Sequence, residues 1–355
     1  MIFFILACSS SKNQADSAQA EAEIDVLAWD LWEDGPYAVG YQKWDHSFSN
    51  PAGDNRTIPM NIWYPTEDSN GDDVYYYGSP DELSLGDAEP MAPVHEGGYP
   101  VLVYSHGSYG YGGTSAFLAR HFASHGWLVI APDHIGNVIT DYTDAVDFSV
   151  RYNRPGDDIA AIDALSSIPN WTQPIQTDSV ILSGHSYGGY DNWAVAGATI
   201  NMAHVEDQCL NGDWATECDE ADIQAFANGF RDSRVAGIIP MAGAGNFSWF
   251  EEGAFQNREI PVLLMSGDKD DDEPQRVWDT SEGTSMIWID IEGACHQAFA
   301  LGGCLELSNE DGFRLINGYS LAFARHLLLN DSNAGTIDLL SGATVPDGIV
   351  IQTRD

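Results

Sequence analysis

Ser186 stands in Gly184-His185-Ser186-Tyr187-Gly188, after an apolar run from Ser179 to Ser183 and before a small-residue run reaching Ile200. A serine hydroxyl is a weak nucleophile near neutral pH, so a neighbouring imidazole must take its proton as it attacks a carbonyl. The imidazole then returns that proton to the leaving group, and a carboxylate on its far nitrogen fixes the tautomer. Both partners are available downstream. Apolar Ile260 to Met265 leads into Ser266-Gly267-Asp268-Lys269-Asp270-Asp271-Asp272-Glu273-Pro274, and Ser285 to Ile291 leads into Glu292-Gly293-Ala294-Cys295-His296-Gln297. Serine, carboxylates and histidine each follow a strand-like run, where open parallel sheets gather their ligands.

For these groups to meet, the runs preceding them must be strands of one sheet. Continuous apolar runs predict strands near 37–48, 57–64, 100–105, 127–132, 179–184, 235–241, 260–266 and 286–291. Helices are expected near 113–125, 156–167, 187–199 and 311–329. The alternation predicts an α/β protein with a mostly parallel central sheet flanked by helices. Glycines beside Ser186 suit a strand-to-helix turn too tight for a Cβ, which strains the serine backbone and exposes its hydroxyl. His106 precedes Ser186 by a strand, so it is expected to be a structural histidine bonding loop backbone.

Together these motifs resemble the platelet-activating factor acetylhydrolase and dienelactone-hydrolase-like branch of the α/β-hydrolases. The resemblance rests on Met60-Asn61-Ile62-Trp63-Tyr64-Pro65, on Tyr104-Ser105-His106-Gly107, and on Phe122 through His134. It rests also on Arg154-Pro155-Gly156-Asp157-Asp158-Ile159 and Gly293-Ala294-Cys295-His296-Gln297-Ala298-Phe299, and it spans about Gly35 to Asn330. It implies an α/β-hydrolase fold with the chain order serine, acid, histidine. It also implies an oxyanion hole from two backbone N–H groups, here those of Ser108 and Tyr187. Two departures matter. The acetylhydrolases take their acid after the sixth strand, but Ile238 to Asn246 contains no carboxylate, so the acid is expected after the seventh strand in a cutinase-like position. Asp270, three residues past Gly267, has the usual register, with Asp268 as runner-up. Dienelactone hydrolase itself has a cysteine nucleophile where this chain has Ser186. The implied activity is cleavage of carboxylic esters, small or polymeric, through an acyl-enzyme, with a catalytically silent binding protein as the alternative.

Length fits one hydrolase domain, 35–330, with a cap-like insertion at 201–232 and a tail at 331–355. The acidic, Gly/Pro-rich stretch 67–98 reads as a surface loop. Tyr109, Tyr111, Tyr187 and Trp193 are candidates for pocket walls. Residues 1–8 resemble a bacterial lipoprotein signal ending at Cys8, followed by a linker at 9–34, so an exported, lipid-anchored protein is expected. An oxidising compartment would allow the remaining cysteines to pair locally, Cys209 with Cys218 and Cys295 with Cys304. The net charge of −40, from 54 acidic and 14 basic residues, excludes a general nucleic-acid binder and disfavours anionic membranes. No cofactor and no metal are expected. Asp268 to Glu273 lacks the ligand alternation of calcium loops, and in Asp68-Ser69-Asn70-Gly71-Asp72-Asp73 the glycine falls too early.

Overall fold

Apolar runs with no polar face can be strands only where both faces are covered. In the computed structural model, which describes residues 25–143, 145–243, 247–271 and 273–355, that is how they are used. Among the described residues the strands are β1 (Ala38–Ser49), β2 (Asn55–Thr66), β3 (Asp72–Tyr76), β4 (Ser79–Gly86), β5 (Tyr99–Ser105), β6 (Leu128–Pro132), β7 (Ile175–His185), β8 (Val235–Met241), β9 (Val262–Gly267), β10 (Met286–Ile291) and β11 (Ile349–Arg354). They form one sheet in the order β11-β10-β9-β8-β7-β5-β6-β2-β1-β4-β3. The central block from β6 to β10 is parallel, while β2 joins β6, and β11 joins β10, antiparallel. This is the α/β-hydrolase arrangement.

The helices are α1 (Ala116–Ser124), α2 (Val150–Ala164), α3 (Tyr187–Val195), α4 (Met202–Asn211), α5 (Glu220–Gln224), α6 (Pro274–Thr280), α7 (Asn309–Leu328) and α8 (Ala334–Leu340). Period-2 alternation in the strands feeds two cores. Val101, Val103 and Leu182 pack with Trp193 of α3 and Ile162 of α2 on one face. Leu102, Tyr104 and Ile181 pack with Phe122 of α1 and Phe323 of α7 on the other. Burying each such aliphatic or aromatic side chain contributes roughly 1.5–3 kcal/mol.

Several elements differ from the sequence reading. The 67–98 stretch is no simple surface loop, because β3 and β4 pair as a hairpin and extend the sheet beyond β1. Val74 and Tyr76 are buried while Tyr75 and Tyr77 are exposed, a strand alternation hidden among carboxylates. The Tyr76 hydroxyl accepts from Trp63 Nε1 at 2.8 Å. Helix α2 begins at Val150, six residues before the expected start, with Pro155 inside it. The carbonyl of Arg151, which Pro155 cannot bond because it lacks an N–H, accepts from Tyr190 Oη at 3.0 Å. Residues 201–232 carry α4 and α5, and the Cys209–Cys218 disulfide ties α4 to the segment leading into α5.

The first described residues and the C-terminal segment both join the body. Cys8 and residues 9–24 lie outside the described residues, whereas Trp29 O accepts from Arg325 Nη1 at 3.0 Å and Trp32 packs edge-on against Tyr319. The 331–355 segment supplies α8 and the edge strand β11, whose register runs from Ile349 opposite Ile291 to Arg354 opposite Met286. Removing residues 342–355 would bare the backbone edge of β10, an open template for pairing with another chain. Light scattering and thermal melts of that truncation should show self-association and a lower melting temperature. A monomer melting like the full chain would show that β11 does not protect the edge.

Candidate active site

The site is built where β5, β7, β9 and β10 end. Ser186 sits between β7 and α3 with φ 54° and ψ −113°, a left-handed backbone that non-glycine residues rarely adopt. Its N–H donates to Met241 O of β8 at 2.9 Å. The flanking glycines permit the crowding around it. A Cβ on Gly184 would stand 2.5 Å from Gly188 O, one on Gly189 2.6 Å from Gly243 O, and one on Gly188 would overlap Ser105 O.

His296 opens a short 3-10 turn past β10. Its Nε2 lies 2.9 Å from Ser186 Oγ, and its Nδ1 lies 2.8 Å from Asp270 Oδ2. A carboxylate only accepts, so Nδ1 carries the proton and Nε2 accepts from the Ser186 hydroxyl. Asp268 is elsewhere. Its Oδ1 accepts from Gly293 N at 2.6 Å and its Oδ2 pairs with Lys269 Nζ at 3.1 Å. The structure therefore brings Asp270 to the histidine and leaves Asp268 bracing the loop that carries it. The Cys295–Cys304 disulfide closes the same loop.

Ser108 occupies a turn in which Gly110 N donates to Gly107 O at 3.0 Å. Tyr187 is the first residue of α3, one of the four positions whose N–H has no partner within a helix. Ser108 lines a cleft of about 160 Å³ with Ser186, His296, Tyr111, Ile139 and Leu301. Tyr109 also reaches this cleft. Tyr187 and Trp193 do not wall it, because both side chains are packed into the core.

The sequence profile of the Chlorophyllase family matches residues 89–209, under half of the chain. That match includes Ser108, Ser186 and Tyr187 but stops before Asp270 and His296. No curated protein matches the sequence. Among solved structures, ferulic acid esterase from Streptomyces cinnamoneus superposes with a TM-score of 0.62 at 17% identity, covering 93% of this chain and 99% of that one. The fold is that of an α/β-hydrolase.

Around the serine the histidines divide into one ring that faces Ser186 and others that bond backbone. Burial, with neighbouring His296, holds His185 down at about 4, and its Nε2 donates to His296 O at 2.9 Å. Burial also pushes His106 well below the ordinary histidine range. His106 Nδ1 donates to Gly107 O at 2.7 Å and its Nε2 accepts from His134 N at 3.0 Å, so it bonds loop backbone.

Beneath the site lies a polar set that sequence reasoning missed. Arg56, His134, Arg154, Asp157, Asp158 and Asp191 form a largely solvent-free cluster with Ser105. Asp157 takes Arg56 Nε at 2.6 Å, and Asp191 takes Arg154 Nη2 at 2.8 Å. Neither Asp158 oxygen has a hydrogen-bond partner among the described residues. Burial, then the charge of Asp191, pushes the Asp158 carboxyl well above the carboxylate range, against the pull of the Arg154 guanidinium. His134, Asp158 and Asp191 also bring ligand-type atoms within 4.8 Å of one another. The Arg154 guanidinium already on Asp191 meets that charge from within the chain. The sequence signal was the Arg154-Pro155-Gly156-Asp157-Asp158 motif, which does not reveal its partners Arg56, His134 and Asp191.

Two expectations follow. Gly188→Ala must separate α3 from β5, and overpacking of this kind costs about 1–3 kcal/mol. Thermal melts should show the loss together with reduced activity, while an unchanged melting temperature would mean the crowding is relieved cheaply. His185 should stay neutral from about pH 8 down to pH 5, across the range where a free histidine titrates, and gain a proton only nearer pH 4. An NMR titration placing its midpoint near the ordinary value would contradict the burial argument.

Proposed function

We propose that this protein is a serine hydrolase that cleaves carboxylic esters through an acyl-enzyme. The observation that carries this reading is His296 held between Asp270 and Ser186 at 2.8 and 2.9 Å. In the proposed mechanism Ser186 Oγ attacks the ester carbonyl as His296 Nε2 takes its proton. The oxyanion is received by the backbone N–H groups of Ser108 and Tyr187, each contributing roughly 3–4 kcal/mol at the transition state. His296 then protonates the departing alcohol, and a water deprotonated by His296 releases the acid. Asp270 holds the Nδ1–H tautomer and stabilises the imidazolium.

The platelet-activating factor acetylhydrolase-like branch is proposed on the second-strand and histidine-loop motifs quoted above. A second reading, a polyester hydrolase, is favoured by one feature: Ile139 and Leu301 are 51% and 59% exposed beside the cleft, leaving room for a long chain. A silent binding protein fits less well, because the three groups stand in bonding geometry. The two disulfides suit an oxidising compartment. No helix among the described residues is long and apolar enough to cross a membrane. We propose export with a lipid anchor on Cys8.

A panel of p-nitrophenyl esters of increasing chain length, with a polyester film beside it, tests the activity and separates the two readings. Ser186→Ala should lower kcat by on the order of 10⁶, as in the subtilisin example, with an unchanged melting temperature. Asp270→Asn should cost about 10⁴-fold by favouring the wrong tautomer, and Asp268→Asn far less. Wild-type turnover in a folded Ser186→Ala protein would end the reading. Equal losses in the two aspartate variants would end the assignment of the acid.

A further inference from the structure

We propose that Arg154 is a positioning residue for the oxyanion hole, setting the distance between its two backbone donors from beneath. This rests on the serine-esterase reading above. The two donors belong to different elements, Ser108 to the loop after β5 and Tyr187 to the start of α3. Something must hold them in register, and Arg154 touches both.

On the loop side, Arg154 Nη2 donates to the carbonyl of His106, two residues before Ser108. Its Nη1 donates to Asn137 Oδ1 at 2.8 Å, and the carbonyl of Asn137 accepts from Tyr109 N at 3.0 Å. Ser108 is thus flanked by two backbone groups, one held by Arg154 directly and the other through Asn137. On the helix side, Arg154 Nε donates to Asp191 Oδ2 at 3.0 Å, and its guanidinium carbon lies 4.4 Å from the centre of the Tyr187 ring. Tyr187 and Asp191 are four residues apart, so both lie on one face of α3.

Arg154 is fully buried and its charge is met by Asp191. A planar fork with donors on both edges can span loop and helix at once, while the single ammonium of lysine cannot. Arg154 makes no contact with the cleft, so it acts through the two N–H groups and not on substrate. A displacement of about 1 Å at such donors can cost about 100-fold in rate.

The test compares an oxygen ester with its thionoester, whose sulfur is a poor hydrogen-bond acceptor and gains little from an oxyanion hole. Wild type, Arg154→Met, Arg154→Lys and Asn137→Ala are assayed for kcat/KM on both substrates, with circular dichroism to confirm folding. Arg154→Met should lose about 100-fold on the oxygen ester and much less on the thionoester, collapsing the preference for oxygen. Arg154→Lys should restore only part of that preference. Asn137→Ala should lower it in the same direction by a smaller factor, and it serves where Arg154→Met does not fold. Equal losses on the two substrates would mean a merely structural role, and an unchanged preference in the folded variants would overturn the proposal. Failure of the underlying reading looks different: wild type would escape labelling at Ser186 by a fluorophosphonate, whatever residue 154 is.

Discussion

The left-handed backbone of Ser186 is the constraint on which the rest of the site depends. Holding a non-glycine residue there costs on the order of 1–3 kcal/mol and persists only where the surroundings over-determine it. Here they do so from three directions. Met241 O takes the serine N–H, and Gly188 and Gly189 pack α3 against Ser105 and Gly243. A side chain at any of these glycines would push the helix outward and relax the turn. The same contacts bring the start of α3 beside the loop after β5.

Electrostatics at the site reverses that of the surface. Outside, carboxylates outnumber basic groups heavily and are solvated on loops. Inside, two guanidinium groups are spent beneath the loop after β5 and α3, where desolvated charges persist only when paired and hydrogen-bonded. Arg56 and Arg154 hold Asp157 and Asp191, while burial beside Asp191 disfavours the charged form of Asp158. This layer is costly to disturb: removing one partner of a pair leaves the other buried and unmatched. The backbone-bonding histidines follow the same rule, since desolvation keeps His185 and His106 uncharged close to the one ring that faces Ser186.

Much of this was legible in the sequence, and the limits have physical causes. Strands 235–241 and 286–291 have the expected bounds because polar Arg234 and Ser285 open their apolar runs abruptly. The turn at Ser186 and the strand ends carrying Asp270 and His296 were readable from the apolar runs that precede them. The β3–β4 hairpin was not, because only Val74 and Tyr76 face inward and the intervening carboxylates look like loop composition. Strand β11 pairs on one edge only, so it has no need of a continuous apolar run. Helix α2 looked as if it began at the proline, since its first turn carries Arg151 and Asn153, and tertiary packing overrode the local signal. The network around Arg154 draws on residues from 56 to 191, and no local pattern links them.

The two aspartates after β9 show how sequence proximity conceals a division of labour. Asp270 faces the imidazole, while Asp268, two residues earlier, clamps Gly293 N and so fixes the loop that delivers His296. Lys269 N donates to Ala294 O at 3.0 Å, and Gly267 packs so closely on Ala294 that a Cβ would overlap its carbonyl. The loops after β9 and β10 are therefore laced together over four residues, and the Cys295–Cys304 bridge restrains the far side. The His296 imidazole is partly solvent-exposed, so the loop backbone behind it carries much of its placement. The geometry at Ser186 is thus set less by Ser186, His296 and Asp270 themselves than by the backbone contacts behind them.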